Sequence, residues 1–499
     1  MAAADDFVFD DTNVAAVVEI CRRLDGVPLA LELAAARIDV FGVRELADHL
    51  DDRFRVLTSG RRTALPRHQT LGATLDWSYQ LLSEAEQAVL RRLAVFAGDF
   101  SLDAAVAVAG DLTELPVVEH IANLVAKSLL VADLHGEIPR YRLLDTTRLY
   151  AFDRLRSAGE LPATGRRHAE YYRAFFAHAE AESEARPQAE WLAIYGRHLD
   201  NVRAGLDWAF SADGEPQIGV ALTIAVVPLW VQLSLLGECR ERVDRALAPL
   251  NSIAGRDPRH EMQLYAALGM SLNYTTGPVP ETEAAWTKTL EIAKSLGDLE
   301  YQLRALRGLW AHWMNAGEYR ASLAIAYEFS ALAGTTGDPA ALGAADRMAG
   351  IILHYLGDQA GARQHLERRL ARAVSPVRQS QPVRFLIDQR VAARSLLARI
   401  LWLQGFPDQA ASAARLAVDE AEASGHALSL CHALAQAACP VAALNGDVVA
   451  AQSFTAVLLD RARELGLSGW IARGHCFQGT LLIMRLDFVA GFADAARCA

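Results

Sequence analysis

Lysine is nearly absent: the 499 residues hold it only at Lys127, Lys288 and Lys294, and the other basic side chains are arginine. None of the three follows a glycine-rich strand-to-helix turn, and no GxxxxGK[ST] stretch occurs, so these residues include no phosphate loop of a nucleotide-hydrolysing α/β domain. Cysteine is scarce as well. The six have no CxxC spacing, which suggests neither a zinc ribbon nor a disulfide framework and fits a reducing cytoplasm. Cys431-His432 with Cys439, and His475-Cys476, are the local Cys/His pairs; their spacing suits no zinc site, and they read as packed thiols in helices. GxSxG and HExxH motifs are missing, and carboxylate pairs such as Asp51-Asp52 read as solvated helix ends. No catalytic or metal-binding residue is therefore assigned, and the chain is not expected to be an enzyme.

Other scarcities narrow the class further. The start, Met1-Ala-Ala-Ala-Asp5-Asp6, lacks the basic-then-apolar order of a signal peptide, so a cytoplasmic location is expected. Aromatics are 8% of a chain that is 52% apolar, so the core must be built from Ala, Leu and Val, which favours close helix packing. A net charge of −11 argues against a whole-chain polyanion binder. One uncharged run, Ile218 to Leu236, nears membrane-spanning length, but it contains Gly219, Pro228, Gln232 and Ser234 and has no basic flank. It reads as a buried repeat helix, and no membrane partner is expected.

What is abundant is a glycine-marked turn. Leu236-Gly237-Glu238, Thr276-Gly277-Pro278, Ala316-Gly317-Glu318, Leu356-Gly357-Asp358, Gln404-Gly405-Phe406 and Asn445-Gly446-Asp447 follow one another at 40, 40, 40, 48 and 41 residues. A second glycine stands 20 residues after four of them, at Gly297, Gly337, Gly425 and Gly466, so each period holds two helices. Acidic residues after the turn, as in Gly297-Asp298, Gly317-Glu318, Gly337-Asp338, Gly357-Asp358 and Gly446-Asp447, suit the positive end of the next helix. Between turns the apolar residues keep helical spacing, as in Ala321, Leu323, Ala324, Ala326, Tyr327 and Ser330. The extra eight residues around Ser375-Pro376-Val377-Arg378-Gln379-Ser380-Gln381-Pro382 read as an inserted loop. The array resembles the tetratricopeptide superfamily in a long-period form, over roughly residues 165 to 490. Such stacks leave a concave face that binds a protein partner or a small effector. Trp286, Trp310, Trp313, Tyr319 and Trp402 are the groove candidates, each with inter-repeat packing as the alternative.

The N-terminal third differs. Residues 11 to 60 read as short helices around Leu24-Asp25-Gly26-Val27-Pro28-Leu29-Ala30, where Gly26 ends one helix and Pro28 starts the next. Thr74-Leu75-Asp76-Trp77-Ser78-Tyr79 precedes a capping box, Ser83-Glu84-Ala85-Glu86. Helical stretches follow near 102 to 109 and 114 to 127, then strand-like Ser128 to Asp133 and Arg140 to Asp145 around His135-Gly136-Glu137, and a helix from Thr146 to Ser157. Three helices, a hairpin and a helix make a winged helix.

The order of these motifs resembles the signal-transduction ATPases of the NB-ARC kind (STAND proteins), found in large bacterial transcription regulators. Leu24 to Ala30 looks like that family's GLPL segment, and Tyr141-Arg142-Leu143-Leu144-Asp145 lies where its MHD element stands. The resemblance implies nucleotide contacts for Gly26 and Pro28 and an acidic position at Asp145, while Leu144 replaces the family's histidine. Because the phosphate loop is missing, no cofactor is expected for this chain alone, and ADP or ATP only if a separate P-loop domain is present. The chain would then be a truncated or split product whose missing N-terminal portion carries the NTPase or DNA-binding domain.

The fold expected is mainly α: a helical, ARC-like segment over 1-62, a winged-helix domain over 63-160 and a TPR-like α-solenoid over 161-499. The function expected is regulatory: a fragment of an ATPase-type transcriptional regulator whose repeats bind a protein or small effector. The alternatives are a free-standing interaction scaffold and a DNA-binding winged-helix factor. Direct DNA reading is not expected, because Glu114 to Lys127 carries two acidic residues and one lysine.

Overall fold

The computed structural model describes residues 13–23, 31, 34, 35, 38, 42–45, 71–110, 114–135, 138–250, 257–372, 387–464 and 468–485. Gly26, Pro28, Gly466 and the 375–382 stretch lie outside them. The chain divides into two compact units, residues 1–177 with 194–222 and residues 178–193 with 223–499. The boundary drawn on sequence after residue 160 falls inside the first unit.

The first unit contains α1 (Val14–Arg23), α2 (Leu71–Gln80), α3 (Glu84–Leu93), α4 (Leu102–Ala109), α5 (Glu114–Ala126), β1 (Val131–Asp133), β2 (Arg140–Arg142), α6 (Asp145–Ser157) and α7 (Leu161–Phe176). The capping box starts α3: Ser83 Oγ accepts from the Glu86 amide at 3.3 Å, and Glu86 Oε2 accepts from the Ser83 amide at 2.8 Å. The strands are antiparallel, with Val131 opposite Arg142, Ala132 opposite Tyr141 and Asp133 opposite Arg140. They are shorter than the alternation suggested. Ser128, at φ 57°, belongs to the turn that closes α5, and Asp145 is already the first residue of α6. Phe100 adds an isolated antiparallel bridge to Tyr141.

Helices α8 (Ala179–Ala185) and α9 (Gln188–Tyr195) follow, and α10 (Leu199–Ala209) returns to the first unit. There α7 and α10 complete the winged helix's core. Phe96 stacks on Phe100 with ring centroids 4.3 Å apart, and His168 and Tyr172 of α7 meet Phe96 edge-on. Asn201 of α10 is fully buried; its Oδ1 accepts from the amides of Ala97 at 2.8 Å and Gly98 at 3.1 Å, and its Nδ2 donates to the Asp99 carbonyl at 2.8 Å.

Helices α11 (Pro216–Gln232) and α12 (Leu236–Leu247) precede the regular pairs: α13 (Pro258–Thr275) with α14 (Pro280–Leu296), α15 (Leu299–Asn315) with α16 (Tyr319–Thr336), α17 (Pro339–Tyr355) with α18 (Gln359–Ala371), and α19 (Gln389–Leu403) with α20 (Pro407–Ser424). The fifth first-helix is interrupted: α21 (Ala427–Ala433), a π turn (Leu434–Ala438) and α22 (Cys439–Leu444) precede α23 (Val448–Glu464), and α24 (Ser468–Met484) follows. The pairing expected from the glycines is found. Gly277, Gly297, Gly317, Gly337, Gly357, Gly405, Gly425 and Gly446 all have positive φ at helix junctions. Asp298, Asp338, Asp358 and Asp447 then accept backbone amides of the next helix, whereas Glu318 makes no such bond.

Three expectations need correction. Gly237 is no turn: it lies inside α12, and the left-handed residue at that junction is Ser234, φ 59°. The buried stripe of α16 is Ser322, Ala326, Phe329 and Ala333, while Ala324 and Tyr327 face outward. Serine fits there because its Oγ donates to the Trp310 carbonyl at 3.0 Å. Cys476 is disulfide-bonded and not simply packed, a pairing that spacing along the chain does not reveal.

The uncharged run forms α11, with Val220, Leu222, Val226, Leu229 and Trp230 buried. Among the described residues one stretch, Ala427–Leu444, is long and apolar enough to cross a membrane by length and composition, and half of it is buried within the fold.

Candidate functional site

Within the second unit, α13, α15, α17 and α19 present residues to one cavity of about 440 Å³, with α21 and the π turn closing one side. Its size falls in the range of small-molecule sites. Trp286 reaches it from α14 across two glycines. A Cβ on Gly269 would stand 2.7 Å from the indole, and one on Gly308 would stand 2.2 Å away, so only glycine lets α13 and α15 close on this ring. Trp310, 4% exposed, forms another wall, and the Arg347 guanidinium lies 5.4 Å from its ring centroid. Tyr355 stacks on Tyr319 with centroids 5.0 Å apart and planes 9° apart.

The polar side of the cavity is basic. Arg307, Arg347 and Arg399 contribute to the lining, and no aspartate or glutamate does among the described residues. Burial, and then the charges of Arg307 and Arg369, pull the Arg347 guanidinium down to about 10. Burial, reinforced by Arg347 and Arg473, pulls the His432 imidazole down to about 4, so it is neutral near pH 7. Arg399 Nη1 donates to the amide oxygen of Gln436 at 3.2 Å, a neutral partner.

Of the aromatic candidates read from sequence, Trp286 and Trp310 line this cavity, and Tyr319 adjoins it through Tyr355. Trp313 packs against the cluster of Ala266, Trp286, Ala305 and Leu309. Trp402 donates its indole N–H to Asn445 Oδ1 at 2.8 Å; neither it nor Trp313 is part of the lining. Asp145 opens α6 and stands 4.0 Å from Arg148, where its charge suits a helix N-terminus. Gly26 and Pro28 fall outside the described residues. The sequence reading missed the arginines, although a signal existed: Arg307 and Arg347 are each ten residues before a turn glycine, at Gly317 and Gly357.

On the first unit, the exposed side of α5 carries Glu119, Ala122 and Asn123. The adjoining Lys127 is held by Glu86, with its Nζ 2.8 Å from both carboxylate oxygens. Among the described residues no group of three or more His, Cys, Asp or Glu is placed to hold a metal ion.

Residues 82–156 match the winged helix-turn-helix domain family. Over 313 residues the chain is 38% identical to a Mycobacterium tuberculosis H37Rv protein provisionally named an HTH-type transcriptional regulator, covering 60% of this chain and 34% of that one. Over 161 residues it is 45% identical to an uncharacterized protein of the same organism, covering 32% of this chain and 41% of the other. The chain thus spans about a third and two-fifths of the length of these relatives. Among solved structures, a STAND protein with a tetratricopeptide repeat sensor from Pyrococcus horikoshii aligns at TM-score 0.44 and 14% identity, covering 95% of this chain and 72% of that one. The apo quorum sensor NprR from B. thuringiensis aligns at 0.48 and 9%, covering 70% and 91%. Both scores lie below the level at which a shared fold is argued.

Proposed function

We propose that this chain is the winged-helix and effector-binding part of a transcriptional regulator, with the effector held in the cavity of the second unit. The observation that carries this is the cavity itself: successive helix pairs enclose a space of ligand size, about 440 Å³, lined by aromatic rings and guanidinium groups. The relatives' names and the winged helix-turn-helix match support the regulatory reading. The exposed face of α5 favours a structural or signal-passing role for the winged helix over direct reading of DNA, since phosphate contacts need free cations and among the described residues this face carries only Lys127, which Glu86 holds.

The resemblance to NB-ARC-type ATPases extends the proposal: the chain works with a P-loop domain on another segment, and by itself neither binds nucleotide productively nor hydrolyses it. A free-standing scaffold remains the second reading, favoured by the regular helix pairs alone.

The test is native mass spectrometry of the full chain isolated from a mycobacterial host, beside a cavity-filling variant, Ala311→Trp. A low-mass species released on denaturation from the parent, and missing from the variant, is expected. A parent as free of ligand as its variant, whatever the growth medium, overturns the effector reading and leaves the scaffold.

A further inference from the structure

We propose that the effector is a small organic anion with a flat apolar part, held by the guanidinium groups of Arg347 and Arg399 and packed against the Trp310 and Tyr355 side of the cavity. This rests on the effector reading above and adds the ligand's charge and shape.

The arginines elsewhere in the same unit set the contrast. Arg390 and Arg394 both bind Glu420, at 2.9 and 2.8 Å. Arg368 and Arg372 share Asp346, at 3.3 and 3.2 Å. Arg304 holds Glu180 at 2.6 Å and Glu300 at 2.7 Å. These five arginines are thus neutralised by carboxylates. Arg347 and Arg399 are not: among the described residues neither makes an ion pair, and their recorded partners are the Trp310 ring and the Gln436 amide. Arg307 lines the same space and adds to the positive potential, which also weakens proton binding at Arg347 and His432.

Like charges gathered in a partly desolvated space disfavour the empty state, and an incoming anion removes that cost. A guanidinium presents a planar fork that matches carboxylate or phosphate oxygens two at a time. The walls beside the forks are aromatic, so the anionic group is one end of a ligand whose remainder is flat and apolar. A cavity of about 440 Å³ admits a small molecule and excludes a nucleic-acid strand.

The full chain is titrated by calorimetry and thermal unfolding with phenyl phosphate, indole-3-carboxylate, inorganic phosphate and phenol, at fixed ionic strength. The two aromatic anions are expected to raise the unfolding midpoint and to bind at least tenfold tighter than inorganic phosphate or phenol. Arg347→Gln and Arg399→Gln are expected to weaken that binding at least tenfold while keeping the ligand-free midpoint unchanged or higher. Arg394→Gln, which breaks a carboxylate pair, lowers the midpoint without changing affinity. A parent that responds to none of the anions, or variants that bind as the parent does, overturns the proposal. A neutral species found by native mass spectrometry together with a null titration removes the anion and keeps the effector; no ligand by either measurement removes both.

Discussion

The indole of Trp286 lies so close over Gly308 that a methyl group on that glycine would stand 2.2 Å from the ring, inside any normal carbon contact. The nearest atoms, Cδ2 and Cε2, belong to the middle of a buried indole, 5% exposed, which cannot swing aside as the end of a lysine could. Gly308→Ala is therefore expected to destabilise the second unit by about 1–3 kcal/mol, the usual range for overpacking a core. Urea unfolding followed by tryptophan emission reads both the loss and the altered surroundings of Trp286. An unchanged midpoint and spectrum would show that α14 and α15 separate freely.

Asn201→Ala removes three hydrogen bonds at once and strands two backbone amides and a carbonyl around Ala97 to Asp99. A loss of about 2–4 kcal/mol is expected, because buried backbone groups without partners carry their full desolvation cost. Asn201→Asp keeps the acceptor but loses the donor to Asp99 and does not restore stability. Chemical denaturation of both variants checks the expectation.

His168 is 2% exposed among aromatic rings, and burial alone pulls its imidazole down to about 3. The sign follows from proton uptake. The unfolded chain protonates this histidine near its ordinary value while the folded chain does not, so its stabilisation is fully present above about pH 6.5 and declines as the pH falls toward 3. His198, also lowered to about 3, adds to the same slope. Urea midpoints between pH 7.5 and 4.5 are expected to fall in the parent and to fall less steeply in His168→Gln. Parallel profiles would show that the ring titrates normally in the fold.

Ser234 occupies a left-handed backbone position, φ 59°, where the following repeats use glycine. Ser234→Gly is expected to raise thermal stability by roughly 1 kcal/mol, less the extra freedom glycine gains in the unfolded chain. A lower melting temperature would contradict this.

Purified chain supplied with Mg²⁺ and ATP is expected to release phosphate no faster than a protein-free blank, as follows from the lack of a GxxxxGK[ST] segment. Turnover that survives re-purification would overturn the proposal that hydrolysis belongs to another domain.

How much of this could be read beforehand depended on the range of the interaction. Turn glycines and the aspartates after them act within a few residues, so Gly317, Gly357, Asp298 and Asp358 marked their helix ends in advance. The Ser83–Glu86 box was legible for the same reason. Ser234 was not, since serine by residue type does not mark a left-handed position. The tryptophans drew attention as groove residues by their size alone, yet only contact across repeats separates Trp310, on the cavity wall, from Trp402, hydrogen-bonded to Asn445. The arginines were hidden because charge on a helix usually means a solvated face. That Arg394 has a carboxylate and Arg399, among the described residues, has none is a fact of three-dimensional neighbours.

Arg307 and Arg347 hold matching places in consecutive helix pairs, one forty-residue step apart. The charge of the cavity is thereby set at positions apart from those that set the architecture. Glycine junctions keep the pairs stacked, while the position ten residues before the turn glycine places a guanidinium at the cavity in two successive pairs. Exchanging that position for an acidic or apolar residue would change the charge of the hollow while leaving the glycine junctions that assemble the helices in place.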